Sequence, residues 1–113
     1  MARISTHILD LSRGLPAAQV RVELYRLEGS HRHLVAATVT NADGRTAEPL
    51  FSADPLPAAT FELVFHAGEY FRALAVPTFL EEVPLRFRVD PAAGSYHVPL
   101  LLSPFGYSTY RGS

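Results

Sequence analysis

The stretch Val20-Arg21-Val22-Glu23-Leu24-Tyr25-Arg26-Leu27 sets apolar Val20, Val22 and Leu24 against Arg21, Glu23 and Tyr25 in strict alternation. Successive side chains of a β-strand point to opposite faces, so a period of two marks a strand with one face buried. The pattern recurs in residues 60–66, where Phe61, Leu63 and Phe65 alternate with Glu62, Val64 and His66. It recurs again where Leu85, Phe87 and Val89 enclose Arg86 and Arg88. Residues 3–10, 33–40, 95–103 and 106–111 read as further strands. Turn signals separate these runs: Arg13-Gly14-Leu15-Pro16, Glu28-Gly29-Ser30, Asn41-Ala42-Asp43-Gly44, Asp54-Pro55-Leu56-Pro57 and Asp90-Pro91-Ala92-Ala93-Gly94. Only residues 67–75 have helix-like composition, for at most two turns, with Pro77 as the stop. Many short strands at this spacing predict an all-β, two-sheet β-sandwich with one short helix. No internal repeat or composition shift divides residues 1–113, which are expected to form a single domain.

Composition removes several classes of chemistry. There is no cysteine, hence no disulfide framework and no thiolate metal site. All ten basic residues are arginines, so no lysine is available as a Schiff base or nucleophile. A formal charge of −1 lacks the basic excess of a nucleic-acid partner. No apolar run approaches the roughly 20 residues of a membrane span. Residues 1–15 lack the apolar core of a signal peptide, and Arg111-Gly112-Ser113 is not a peroxisomal address, so the expected location is cytoplasmic. No Gly-x-Ser-x-Gly elbow is present, which argues against a serine hydrolase.

Strand parity sorts the remaining candidates. In residues 3–10, Ile4 and Ile8 are assigned to the core, leaving His7 and Leu9 on the other face. In residues 95–103, Tyr96, Val98, Leu100 and Leu102 face the core, and His97, Pro99 and Leu101 face away. If Tyr107 continues the core face, Ser108 and Tyr110 project outward. A face carrying Leu9, Pro99, Leu101 and Tyr110 is too apolar for plain solvent and predicts a subunit or ligand contact. His31 and His33 form a His-x-His without an evident third ligand, and are read as exposed beside the Gly29-Ser30 turn. His66 ends a strand without a partner in view. Arg86 and Arg88 read as a solvated stripe, and Asp10 as a structural hydrogen-bond acceptor.

Three ordered motifs carry a resemblance. Ile4-Ser5-Thr6-His7-Ile8-Leu9-Asp10 is followed by Arg13-Gly14-Leu15-Pro16-Ala17-Ala18, then by Thr40-Asn41-Ala42-Asp43-Gly44-Arg45. The third is the run from Tyr96 to Ser113, with Leu101-Leu102-Ser103-Pro104 inside it and Tyr110-Arg111-Gly112-Ser113 closing the chain. Over nearly its whole length the sequence resembles the 5-hydroxyisourate hydrolases, the enzymatic, transthyretin-related branch of purine catabolism. One departure is Ser95, where family members often carry a further histidine before the Tyr-His pair.

The resemblance implies a transthyretin-like sandwich that assembles as a homotetramer, a dimer of dimers, with its site in a cleft where dimers meet. It implies His7, Arg45 and His97 as catalytic residues and Tyr110, Arg111 and Ser113 as substrate contacts, with no metal or cofactor. The implied reaction is hydrolysis of 5-hydroxyisourate to 2-oxo-4-hydroxy-4-carboxy-5-ureidoimidazoline in urate breakdown. Histidine, with an ordinary pKa of about 6.5, suits a base near neutrality. Arginine suits an electrophilic clamp on a carbonyl or oxyanion. Which histidine is the base stays open at this level. The alternative is a transthyretin-like carrier holding a small aromatic ligand in an intersubunit channel, although His7, His97 and Tyr110 would make such a channel narrow and polar.

Overall fold

The strands β1 (Ala2–Asp10) and β8 (Tyr96–Ser103) come from opposite ends of the chain and lie side by side, parallel and in register from Ile4↔Tyr96 to Asp10↔Leu102. The computed structural model describes residues 1–113. One sheet runs β2 (Leu15–Pro16), β1, β8, β9 (Gly106–Thr109), with β5 (Phe51–Ala53) also paired to β1. The second sheet runs β4 (His31–Val39), β3 (Arg21–Glu28), β6 (Thr60–Phe65), β7 (Val83–Arg88). The helix α1 (Ala67–Ala73) follows β6 directly. The expected all-β, two-sheet sandwich with one short helix is therefore the observed architecture.

Inner-face residues of both sheets close the core. Ile4, Ile8, Leu100 and Leu102 from the first sheet and Val22, Leu24, Phe61, Leu63 and Phe65 from the second are fully buried. The alternation that predicted the strands is thus the alternation that buries them. Burying each such side chain contributes roughly 1.5–3 kcal/mol relative to exposure.

Several local expectations need correction. Leu15 and Pro16, read as part of a turn, pair with Asp10 and Leu9 as a short strand, and β5 was not anticipated. The helix ends before Pro77: Ala75 turns left-handed (φ 58°), and the Val76 N–H returns to the Phe71 carbonyl. Glu62 and Val64 lie on the outer face of β6 yet are buried. Arg32 and Arg86 reach over the Glu62 carboxylate at 3.1 and 2.7 Å, so Arg86 is paired rather than a free solvated cation. The Arg86 hydrogen bond, then that of Arg32, holds the Glu62 carboxyl below its ordinary range despite burial. His66 does have partners: Glu23 at 2.8 Å and the Arg21 guanidinium at 3.2 Å. Asp10 is the acceptor expected of it, taking bonds from Ser12 and from the Tyr70 hydroxyl at 2.7 Å.

The loop after β4 is pinned to β1 through one glycine. Gly44 adopts φ 73°, its carbonyl accepts from the Ile8 N–H at 2.8 Å, and its N–H returns to Asn41. The Asn41 side chain accepts from the N–H groups of Asp43 and Arg45, closing the turn on itself. A Cβ on Gly44 would collide with the Ile8 carbonyl and press on Pro16 in a conformation only glycine adopts freely. Gly44→Ala should therefore destabilise the fold by about 1–3 kcal/mol, measured by denaturant unfolding. A wild-type midpoint would show that the loop is not fixed in this way.

Candidate active site

The register of β1 with β8 decides what shares the outer face of the first sheet. Ile4, Thr6 and Ile8 pair with Tyr96, Val98 and Leu100 on the inner side. Ser5, His7 and Leu9 pair with His97, Pro99 and Leu101 on the outer side. On the other edge of β8, Leu101 pairs with Ser108 and Leu100 with Thr109. The same spacing persists to a bridge between His97 and Gly112, where the Gly112 N–H donates to the His97 carbonyl at 2.7 Å. Ser108, Tyr110 and Gly112 thus continue the outer face, and Thr109 and Arg111 the inner one.

A cleft of about 370 Å³ opens on that outer face, lined by Arg3, Ser5, Arg45, Ser95, His97, Gly112 and Ser113. The pinned Gly44 turn brings Arg45 to its rim, and Arg3 comes from the start of β1. The half-buried His97 ring is held on two sides. Ser5 Oγ lies 2.9 Å from its Nδ1. A Cβ on Gly112 would sit 2.7 Å from its Cδ2, so only a glycine lets the terminal segment lie this close to the ring. No protein group bonds to Nε2.

Burial, then the Arg45 guanidinium, then His7 push the His97 pKa below the ordinary histidine value. All three disfavour imidazolium, so His97 stays neutral to lower pH than a free histidine. His7 is half-buried on the same face, two residues along β1 from the Ser5 that pairs with His97. The structure thus gathers Arg45, His97 and Ser113 in one cleft; His7 does not line it and acts there only through its effect on His97.

Tyr110 and Arg111, expected beside His97, do not border this cleft within one chain. Arg111 falls on the inner side. Its guanidinium stacks over the Tyr96 ring at 4.3 Å and donates to the Ala93 and Ser95 carbonyls. Tyr110 is on the outer face but 57% exposed, against a separate groove at the sheet edge with Leu85, Phe87 and Val98. Pro99, expected on an open outer face, is buried. Arg3, Ser5 and Ser95 were missed. Their only sequence signal is odd parity with His7 and His97, which becomes specific once the β1–β8 register is known.

The largest concavity, about 560 Å³, is elsewhere, where α1 meets the edge of the second sheet, among Arg21, His66, Glu69, Arg72, Glu81 and Glu82. Its charges are spent on one another: Arg21 bonds Glu69 at 2.6 Å, Arg72 bonds Glu81 at 2.7 Å, and His66 bonds Glu23. The smaller cleft presents two arginines with no acidic partner and an imidazole with a free nitrogen. That is the better-equipped chemical site. His31 and His33 are exposed on β4, with ring centroids 6.4 Å apart.

Residues 4–112 match the model of the HIUase/Transthyretin family, and the chain belongs to that family. It is 55% identical to 5-hydroxyisourate hydrolase 2 of Rhizobium meliloti, over 98% of this chain and 96% of that protein. Among solved structures, the 5-hydroxyisourate hydrolase of Klebsiella pneumoniae superposes with a TM-score of 0.84 at 41% identity, covering 99% of this chain and 100% of that one. An (S)-allantoin synthase superposes with a TM-score of 0.91 at 39% identity; 99% of this chain matches only 44% of that longer one.

The electrostatics of the cleft are open to direct measurement. Titrated by NMR, His97 should show a midpoint below about 6.5. Arg45→Ala should raise that midpoint, because it removes a cation that opposes protonation. A His97 midpoint unmoved by Arg45→Ala would separate the two side chains.

Proposed function

We propose that this protein hydrolyses 5-hydroxyisourate, a planar bicyclic product of urate oxidation, in purine breakdown. One observation carries the reading beyond family membership. His97 has a depressed pKa and an unbonded Nε2, and it opens into a cleft shared with Arg45. Cleavage of a cyclic amide by water needs a neutral base for the water and a fixed cation for the oxyanion. His97 takes a proton from water at Nε2 while the water oxygen bonds to a ring carbonyl carbon. Arg45 and Arg3 stabilise the negative charge that develops on the carbonyl oxygen. The ring C–N bond then breaks, and the proton held by His97 passes to the departing nitrogen. The carboxyl group and the N–H of the opened ring account for the atoms of one water. His7 supports the same face electrostatically, and Ser113 offers polar contacts to the edge of the flat ligand. Two arginines beside the imidazole disfavour a bound metal cation, and the reaction needs no redox or group-carrying cofactor.

The outer face also motivates a homotetramer built as a dimer of dimers. Leu9 and Leu101 are half-buried and Tyr110 is largely exposed in the single chain. Covering that face against a second copy removes apolar area worth about 25 cal/mol per Å². It also lets Tyr110 of one subunit reach the cleft of another, which accounts for a largely exposed tyrosine that does not border the cleft of its own chain. Arg111 is then an anchor of the terminal segment rather than a ligand contact. A carrier of an apolar aromatic ligand is disfavoured, because the cleft is lined by arginine, histidine and serine. The reaction suits a cytoplasmic setting, and no helix of this protein is long and apolar enough to cross a membrane.

Generating the substrate in situ with urate oxidase and following its ultraviolet decay tests the reaction. The protein should accelerate the decay, with full activity retained in EDTA. His97→Ala and Arg45→Ala should each lower turnover by about 10²–10⁴-fold, the range for acid–base and oxyanion contributions. His7→Ala should give a smaller loss, and combined losses should be less than additive. Melting temperatures should stay near wild type, because these side chains lie outside the core. An unchanged decay rate with the folded protein would overturn the enzyme reading.

Light scattering tests the assembly. It should give about 50 kDa, the mass of a closed set of four copies. Tyr110→Ala should lower turnover without dissociating that set, and a fully active monomer would overturn the intersubunit site.

A further inference from the structure

Ser5 lies across from His97 in the parallel β1–β8 ladder, and both project from the same face. Its Oγ is 2.9 Å from His97 Nδ1 and makes no other side-chain hydrogen bond, and Nδ1 has no other partner. The tautomer of a neutral histidine is set by the bond that its second nitrogen makes. A serine hydroxyl can take either role, so the remaining surroundings decide. If Ser5 donated to Nδ1, the proton would sit on Nε2, and an N–H dipole would point into a cleft that already holds Arg3 and Arg45. If Ser5 accepts from Nδ1–H, a lone pair at Nε2 points at those cations instead. The charged and titratable side chains facing His97 are Arg3 and His7 from β1 and Arg45 from the 41–45 loop; β8 itself and the terminal segment add no charged side chain on this side. Glu48 borders the adjoining hollow beside Arg3, Ser5 and Arg45 rather than this cleft. Every charged or titratable side chain that faces the ring is therefore a cation or a second imidazole. All of them favour the lone pair at Nε2.

We propose that Ser5 is the positioning residue of the site. Its Oγ accepts the His97 Nδ1–H, fixing the imidazole in the tautomer whose Nε2 can take a proton from water. The inference rests on the reading of His97 as the base. It adds what makes the ring a base in the right direction. Gly112 completes the arrangement by packing against Cδ2, so the ring is limited in rotation by the terminal segment on one side and tethered by Ser5 at the other. Ser5 continues to accept from Nδ1–H after His97 has taken its proton, when the bond becomes charge-assisted and stronger. Its loss therefore weakens the base in two ways: fewer molecules carry the productive tautomer, and the imidazolium formed in the reaction is less stabilised.

Nitrogen-15 NMR of the His97 ring in the wild-type protein tests this without any turnover, and should show a protonated Nδ1 and an unprotonated Nε2. Ser5→Ala should shift the ring toward the Nε2–H form. In the decay assay the same variant should lose about tenfold in kcat, a fraction of a full general-base contribution, with KM within about twofold of wild type. The acid limb of its kcat profile should move to lower pH, because the imidazolium has lost an acceptor and is harder to form. Ser5→Thr keeps the hydroxyl on a strand-compatible side chain and should restore both tautomer and rate. An Nε2–H ring in the wild type, or a ring unchanged in Ser5→Ala, overturns the proposal. So does a rise in KM at constant kcat, which would make Ser5 a ligand contact. An inactive wild-type protein would sink the hydrolase reading, while the NMR result would still decide the role of Ser5.

Discussion

The parallel pairing of β1 with β8 is the constraint on which the rest of the molecule depends. The two strands lie more than 80 residues apart in sequence, and their ladder sits inside the sheet, with β2 and β5 on one flank and β9 on the other. A slip of one residue would turn Ile4 and Ile8 outward and draw Ser5 and His7 into the core. The buried residues therefore lock the register more firmly than any contact in the cleft could. The same ladder then sets Ser5 opposite His97 and leaves His7 one outer-face step further on. The geometry of the candidate site is inherited from core packing, and the cleft need not be stabilised on its own account.

The two outer faces use the same residue types in opposite ways. On the second sheet and the helix beside it, the arginines pair with carboxylates: Arg21 with Glu69, Arg72 with Glu81, Arg32 and Arg86 with Glu62. Those pairs leave no guanidinium free there, even though the concavity is larger and its remaining carboxylate, Glu82, adds an acidic excess. On the first sheet Arg3 and Arg45 have no acidic partner. Burial and then the uncompensated charge of Arg45 lower the affinity of His97 for protons, and both guanidiniums stand free for the oxyanion of the proposed reaction. Between these two concavities, free guanidinium charge rather than size marks the candidate site.

Most of the sandwich was legible because period-two alternation reports burial directly, as in Val20-Val22-Leu24 and Tyr96-Val98-Leu100-Leu102. The reading faltered where a face was covered by something other than the opposite sheet. Glu62 and His66 looked exposed by pattern, but arginine and carboxylate side chains from neighbouring strands lie over them, and no local signal encodes such partners. Leu15-Pro16 and Phe51–Ala53 were too short for periodicity to detect. Parity also found the right face for His7 and His97. It could not find Ser5, because a serine in an alternating strand is unremarkable until the strand beside it is known.

The terminal segment shows why a contiguous motif is not a set of equivalent ligand contacts. Along Tyr110-Arg111-Gly112-Ser113 the backbone keeps the ladder spacing that links Thr109 to Leu100 and Gly112 to His97. Alternate residues must then serve opposite faces. Arg111 turns inward, stacks on Tyr96 and ties down carbonyls at Ala93 and Ser95, which holds the segment against β8. Because it is held there, Gly112 lies flat against the His97 ring, Ser113 reaches the cleft and Tyr110 is left facing outward. The arginine shapes the site from behind the sheet. Its removal would act on the position of the histidine, not on a ligand, through the one backbone bridge that joins the chain end to β8.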